Sequence, residues 1–221
     1  MASCALITGD TVLWRESSGV RTHSQSILPM VQKLLAEAGV ALSQCDAIAF
    51  GAGPGSFTGV RTACGIAQGL AYGAGLPVLP LVTLDAMALA CRQQAGASDV
   101  LAVLDARMGE VYWAQYHGDA IVAGPALCAP ADVAPVAVKG ALTACGNGFS
   151  AYPDAFAHHP FAADALVAIM PHAHQLAQLS VAALAAGAAV PAAQAQPLYL
   201  RNKIAYTSAE RLVINAAKAA A

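Results

Sequence analysis

Charged side chains are scarce in this sequence. Asp, Glu, Lys and Arg make up 11% of the 221 residues and the formal net charge is -2, whereas about a quarter of a typical globular protein is charged. A protein that grips nucleic acid phosphates by itself carries a basic stripe, so this composition argues against that class. Hydrophobic residues reach 57%. Most of the excess of hydrophobic residues is alanine, which we interpret as composition drift. The remaining hydrophobic residues predict some apolar surface that a partner covers.

Paired cysteine motifs are missing as well. The six cysteines form no CxxC pair and have no histidine at ligand spacing, which argues against a zinc site or a disulfide framework. Buried free thiols in a reducing compartment are the better interpretation. The positions are Cys4, Cys45, Cys64, Cys91, Cys128 and Cys145.

The sequence also lacks a signal-peptide pattern and a long hydrophobic run. Its N-terminus has no basic segment and soon reaches Asp10. The most apolar stretch, 181–193, contains Gly187 and Pro191 and is too short to span a bilayer. The sequence therefore predicts a cytosolic protein with no membrane contact.

Alternating and helical patterns follow one another in the first half of the chain. Residues 4–8 and 11–15 alternate around Gly9-Asp10 and predict a β-hairpin. A helical pattern over 23–38 follows and ends at Gly39. Further elements are expected as strands at 46–51 and 76–82 and helices at 60–72 and 83–94. Strand and helix in succession, with short links, predict an α/β layer architecture.

The pattern changes at Asp99. Residues 100–106 and 110–116 predict a second hairpin that begins a second lobe, and 172–186 predicts a helix. The stretch 120–164 is rich in Ala, Pro and Gly and receives no assignment. A short extended segment is expected at 197–201 and a helix at 209–221.

A glycine-rich loop is the strongest local motif. Glycines at these spacings let backbone N–H groups converge before a helix, which suits an anion or a nucleotide phosphate. A tight turn in which glycine only permits positive φ is an equally good interpretation. The loop matches neither a Walker loop nor GxGxxG. Its candidate residues are Gly53, Gly55, Ser56, Thr58 and Gly59.

Three glycines at a spacing of four lie in the next helix, at Gly65, Gly69 and Gly73. Glycine inside a helix costs about 1 kcal/mol relative to alanine, so three in register require a reason. A smooth face that another helix backbone approaches closely is such a reason. That neighbour is either another part of this chain or a second polypeptide, and the apolar helix 23–38 is the natural companion of this face between two subunits.

Acid–base and metal candidates are few. Asp105, Arg107 and Glu110 cluster at the second hairpin, where solvated charges normally gather, and that interpretation is favoured over a functional one. The histidines have no carboxylate at ligand spacing. The sequence thus predicts no catalytic residue and no metal site.

The run from 47 to 61, which ends in GPGSFTGVR, closely resembles the signature of the TsaB (YeaZ) family. The segments 23–29 (HSQSILP), 105–112 (DARMGEVY) and 197–202 (PLYLRN) agree with it. The resemblance spans nearly the whole chain and is strongest from Thr22 to Tyr116.

This resemblance implies a two-lobed α/β fold of the actin-like ATPase type (ASKHA, RNase H-like). The expected lobes are 1–98, with the glycine loop and the partner-binding helices, and 99–221, whose C-terminal segment packs back on the first. Members of the family open with an additional strand and an Asp-Thr-Ser/Ala-Thr turn, whereas this sequence starts at the residues that usually follow. An incomplete first lobe, from a truncation or a misassigned start, is therefore expected.

The resemblance also implies a function. TsaB-like proteins pair with the paralogous subunit TsaD, which carries the metal and transfers a threonylcarbamoyl group to adenosine 37 of tRNA, and the ATPase TsaE joins them. TsaD-like sequences bind the metal through an HxxxH pair, whose places here hold Thr83 and Met87. Neither side chain suits a hard catalytic metal. The chain is therefore expected to be a non-catalytic partner subunit that contacts tRNA only through the complex.

The expected docking surface combines the two helices at 23–38 and 60–73. The resemblance leaves open a homodimer of the isolated chain and an ATP or ADP site at the shared interface, with no cofactor held by this chain alone. The expected partner-binding residues are His23, Ile27, Leu28, Val31, Arg61, Gly65, Gln68, Gly69 and Tyr72.

Two alternatives come from other functional classes. A glycoprotease-like, metal-dependent peptidase requires ligands where Thr83 and Met87 stand. A small-molecule kinase of the same superfamily requires the aspartate loop that this sequence does not contain.

Overall fold

A computed structural model describes residues 2–17 and 23–201, with side chains described from Gln25 onwards in the second range. The helix expected at 209–221 lies outside the described residues. The first half follows the predicted order, with bounds that differ by a few residues. Its elements are β1 (Ala2–Thr8), β2 (Thr11–Ser17), α1 (His23–Ala38), β3 (Ile48–Gly53), α2 (Phe57–Ala74), β4 (Val78–Val82) and α3 (Thr83–Ala95).

The second half contains the predicted hairpin and helix together with elements that the sequence left unassigned. Its elements are β5 (Asp99–Arg107), β6 (Glu110–His117), β7 (Ala120–Cys128), β8 (Leu142–Cys145), α4 (Gly148–Ala151), α5 (Pro153–Phe156) and α6 (Ala173–Ala185). Strands β7 and β8 both fall in the Ala-, Pro- and Gly-rich stretch. Strand β7 pairs with β6 through two register shifts, and β8 is only four residues long.

Three sheets organise these strands. Within the described part of the chain, β1 pairs with β2 as an antiparallel hairpin, and β3 pairs with β4 in parallel across the α2 connection. The third sheet has the order β7-β6-β5-β8, in which only the β5–β8 pair is parallel. Parallel pairs joined through helices are typical of layered α/β folds.

Helix α6 connects the two halves of the chain. It packs against β1, β2, β3 and β4 as well as against α3. A bridge between Val78 and Val190 and the contact of residues 192–194 with α2 also bring the chain after 172 back onto the first half.

The largest core lies between α3 and the four-stranded sheet. Leu84, Met87 and Cys91 on α3 are fully buried against β5 and β6, and Cys145 on β8 joins them. Buried thiols were expected, and Cys4 and Cys64 are buried too, whereas Cys45 and Cys128 are only partly buried. Burial raises the pKa of the Cys4 thiol to about 11, as expected for an inert structural cysteine.

No helix among the described residues is long and apolar enough to cross a membrane.

Gly146 tests how closely the β8–α4 connection packs on β5. A Cβ there would lie 2.2 Å from the Val103 carbonyl oxygen, and the backbone has φ +107°. We expect Gly146→Ala to lower the free energy of unfolding by about 3 kcal/mol or more, because overpacking adds to the backbone cost. Gly96→Ala is the control, since Gly96 has φ +64° and open space around it, and should cost only about 1–2 kcal/mol. Equal losses in chemical denaturation would contradict this packing.

Candidate functional site

None of the residues that the structure describes covers the outer face of α2. Gly65, Gly69 and Gly73 are exposed, and a Cβ atom built on any of them would meet nothing within 4 Å. The interpretation in which another part of this chain covers the glycine face therefore fails for the described residues. Relative to the described part of the chain, the three glycines form a smooth, exposed stripe, which we call the glycine stripe.

Helix α1 contributes less exposed surface than its sequence pattern suggested. Ile27 and Val31 are partly buried and pack on the small core between α1 and the β1–β2 hairpin. Leu28 is exposed at 45% and faces solvent. His23 starts the helix, but its side chain lies outside the described part of the chain.

Gln68 and Tyr72 point in different directions from α2. The Gln68 amide donates to the carbonyl oxygens of Ala192 and Ala195 at 3.1 and 3.0 Å. Gln68 thus anchors a returning segment of its own chain, and its expected contact with a partner stays a prediction. Tyr72 is 84% exposed beside a shallow apolar groove formed with Leu76 and Val190.

The glycine loop has a covered inner side and an open tip. A Cβ at Gly53 would lie 3.0 Å from the Leu198 carbonyl oxygen, and Gly53 has φ +113°. Residues at the tip, including Ser56, Thr58 and Gly59, are exposed, and Gly55 is partly buried. The loop therefore meets the need for a tight turn and a close backbone approach, and only its tip is open to a ligand.

Arg61 forms a cluster with two aromatic side chains at the start of α2. Its Nε donates to the Tyr199 hydroxyl at 2.8 Å, and its guanidinium carbon lies 3.4 Å from the centre of the Phe57 ring. Phe57 and Tyr199 are 44% and 51% exposed. A guanidinium held against rings in this way loses little further freedom when it binds a partner.

The turn between β5 and β6 holds side chains in a conformation that usually belongs to glycine. Met108 and Gly109 form a two-residue loop with φ +59° and +79°, and the preceding Arg107 has φ +63°. Loops of this kind strongly favour Asn-Gly. Keeping Arg107 and Met108 at left-handed angles costs about 1–2 kcal/mol each.

Asp105 supports the turn from below. Its side chain is only 6% exposed, and its Oδ1 accepts hydrogen bonds from the Arg107 backbone N–H at 2.8 Å and the Tyr152 hydroxyl at 3.0 Å. Asn147 in turn accepts from the Asp105 backbone N–H at 3.0 Å. Burial first, and then the hydrogen bond to this carboxylate, raise the pKa of Tyr152. The expectation that Asp105 is a solvated hairpin charge is therefore wrong.

Arg201 closes the turn from the other side. Its guanidinium donates to the carbonyl oxygens of Ala106 and Arg107 at 3.1 and 3.3 Å and pairs with the Glu110 carboxylate at 2.6 Å. Glu110 is therefore neutralised within the chain. In the sequence analysis, Tyr199 and Arg201 appeared only as part of the segment 197–202 that resembles the family. Neither was predicted as a site residue. Nothing in the sequence around these two residues indicates that they bond to Arg61 and to the β5–β6 turn, which lie far away along the chain.

Thr83 and Met87 are occupied by structural contacts. The Thr83 hydroxyl donates to the Pro54 carbonyl oxygen and so ties α3 to the glycine loop. Met87 is fully buried in the core against Gly146. Among the residues that the structure describes, no group of three or more His, Cys, Asp or Glu side chains could hold a metal ion.

Comparison with known proteins gives a consistent family. A family model described as TsaD, tRNA N6-adenosine threonylcarbamoyltransferase, matches residues 14–220. The chain is 40% identical over 193 residues to the tRNA threonylcarbamoyladenosine biosynthesis protein TsaB of Escherichia coli, covering 84% of each chain. It is 36% identical to TsaB of Haemophilus influenzae, covering 84% of this chain and 83% of that one.

Solved structures agree. YeaZ from Pseudomonas aeruginosa superimposes with a TM-score of 0.83 at 40% identity, covering 90% of this chain and 93% of that chain. A further structure from that organism, described as an uncharacterized protein with similarity to peptidase YeaZ, gives 0.84 at 40% identity over 90% and 94% of the two chains. The actin-like α/β fold expected from the sequence is confirmed. On its sequence and its fold alike, this chain is a member of the TsaB (YeaZ) family.

Proposed function

We propose that this chain is the non-catalytic partner subunit of a TsaD-type transferase, and that both are required, with a TsaE-type ATPase, for threonylcarbamoyl transfer to adenosine 37 of tRNA in the cytoplasm. The main support for this proposal is the exposed glycine stripe on α2. Three helix glycines cost about 3 kcal/mol together relative to alanine, and no described part of this chain packs on them. A helix of the partner subunit that approaches the stripe closely offsets that cost.

The exposed side chains around the stripe fit a protein interface. Leu28 on α1 and Tyr72 on α2 add apolar surface, and Arg61 adds a guanidinium held by aromatic rings. Aromatic and arginine side chains are enriched at such interfaces. The same stripe would serve a homodimer when the chain is alone.

In this proposal, nucleotide and tRNA bind to the assembled complex and not to this chain alone. The inner side of the glycine loop is covered by Leu198, and Arg61 is engaged with Tyr199. Any ATP or ADP therefore needs surface from the partner subunit as well. Binding to tRNA phosphates requires positive charge, and this chain has a net charge of -2, so the other subunits would supply the positive charge.

The peptidase alternative receives no support from the residues at the expected ligand positions, because the Thr83 hydroxyl is bonded to a loop carbonyl and Met87 is in the core. The kinase alternative rests on superfamily likeness alone.

A substitution on the stripe tests the docking surface. We expect Gly69→Arg to abolish association with TsaD, because a charged side chain would stand where two helix backbones meet. The monomer should stay folded, since a Cβ at Gly69 meets nothing and glycine is a poor helix former. Gly140→Arg, also made in open space, is the matched control and should co-purify with TsaD normally. Normal co-purification of the Gly69 variant would count against the stripe as the docking surface.

Reconstituted tRNA modification tests the subunit role. With TsaD, TsaE and threonylcarbamoyl donor present, we expect modified adenosine to form only when this chain is added. The chain alone should transfer nothing, because the reacting groups lie in the partner. Full-rate modification without this chain, or turnover by the chain alone, would contradict the proposal.

Metal analysis separates the subunit from the peptidase. Elemental analysis of the purified full chain should find only substoichiometric transition metal, because Thr83 and Met87 offer no suitable ligand atoms. One tightly bound metal ion per chain, with peptide cleavage that a chelator abolishes, would instead favour the peptidase.

A further inference from the structure

The first turn of α6 attaches the β1–β2 hairpin to the second half of the chain. The Ser3 hydroxyl oxygen accepts a hydrogen bond from the Ala173 backbone N–H at 3.0 Å. Trp14 packs edge-on against the His172 ring, with 5.2 Å between the ring centroids. The Glu16 carboxylate lies 3.4 Å from Nε2 of His172. Three side chains of one hairpin thus meet two neighbouring residues at the start of a helix.

His172 makes these contacts as a neutral imidazole. Its Nδ1 accepts a hydrogen bond from the His174 backbone N–H at 3.1 Å and so caps α6. A ring nitrogen that accepts carries no proton, so the proton of the neutral ring lies on Nε2, beside Glu16. A second proton would turn Nδ1 into a donor and leave the His174 N–H without its acceptor. It would also place a positive charge at a helix N-terminus, which the helix dipole disfavours.

Within the described part of the chain, the titratable side chains that face this imidazole are Glu16 from β2 and His174 from α6 itself. Burial lowers the pKa of His172 below its ordinary value, the Glu16 carboxylate opposes that shift, and His174 adds to it. Burial outweighs Glu16 because the His172 side chain is only 16% exposed, whereas Glu16 is 46% exposed and its attraction is screened by water. The folded protein therefore favours the neutral ring.

The hairpin and α1 form one structural unit. Among the strands of the described residues, β1 and β2 pair only with each other. The hairpin shares a small core with Met30 and Leu34 of α1, and Arg15 of β2 pairs with Glu37 of α1. A unit with its own small core opens from the rest of a protein at a lower free energy than global unfolding. Contacts at the start of α6 therefore control whether this unit stays attached.

We propose that His172 is a pH-sensitive switch that holds the β1–β2 hairpin and α1 on the start of α6 while its imidazole is neutral, and releases them when the imidazole is protonated. In the open state His172 has its ordinary pKa of about 6.5, so it takes up a proton more readily than in the closed state. The closed state is therefore fully favoured above about pH 6.5 and becomes less stable as the pH falls below it. One proton changes the equilibrium by at most about tenfold per pH unit. The switch does not depend on the proposed function, because each of its contacts lies within this chain.

Hydrogen exchange of the full chain, followed by mass spectrometry and corrected for the intrinsic pH dependence of exchange, tests the switch. Between about pH 7.5 and 5.5, we expect the protection of peptides from 2–17 to fall about three- to tenfold, while peptides from 99–117 keep theirs. His172→Asn supplies an N-cap acceptor that does not titrate, so its hairpin protection should change less than about twofold over this range. His158→Asn removes an exposed histidine elsewhere and should behave like the parent protein.

Each other outcome overturns the inference. Hairpin protection that persists at the lower pH would show that protonation does not release the unit. An equal fall in His172→Asn would assign the pH dependence to other groups, Glu16 among them. An equal fall over 99–117 would show global acid unfolding instead of local release. If the asparagine variant has already lost its hairpin protection at the higher pH, His172→Ser supplies a second cap that does not titrate, and the same comparison decides.

Discussion

The extended segment from Leu198 to Arg201 makes the contacts on which the candidate site depends. Leu198 donates to the Ala52 carbonyl oxygen at 2.7 Å and covers the glycine loop. Tyr199 orients Arg61 at the start of α2. Arg201 holds the β5–β6 turn. One short stretch therefore joins the glycine loop, the start of α2 and the β5–β6 turn.

The glycine loop and Thr83 are likewise engaged in contacts within the chain. The loop glycines that would cradle a phosphate allow the chain to approach itself closely. The hydroxyl of Thr83 donates to the Pro54 carbonyl oxygen and so ties α3 to that loop. Polar groups that are bonded within the protein are poorly placed to bind substrate as well, since each new bond would leave an old partner unsatisfied.

On the outer face of α2 and at the β5–β6 turn, by contrast, the residues present are not the ones that would best stabilise the isolated chain. Glycine stands in the helix where a side chain would stabilise it, and side chains stand in the turn where glycine would. Each choice weakens the isolated chain by a few kcal/mol in total, which is a noticeable share of the stability of a domain. Both departures lie at exposed positions. That is the pattern expected when local stability is given up for association.

The sequence by itself determined the family, the α/β class and most elements of the first half, because the GPGSFTGVR run is specific and hydrophobic periodicity is a local property. It also identified the glycine stripe, since Gly65, Gly69 and Gly73 break a helix rule that is read along the chain. Strands β7 and β8 were not predicted from the sequence, because their pairing depends on neighbouring strands rather than on their own composition. Only the tertiary structure decided that no described residue covers the stripe, that the Gln68 amide bonds to its own chain and that the Asp105 side chain is buried. These facts depend on which distant residues, such as Ala195, Tyr152 and Arg201, come to lie beside them, and a linear pattern does not encode that proximity.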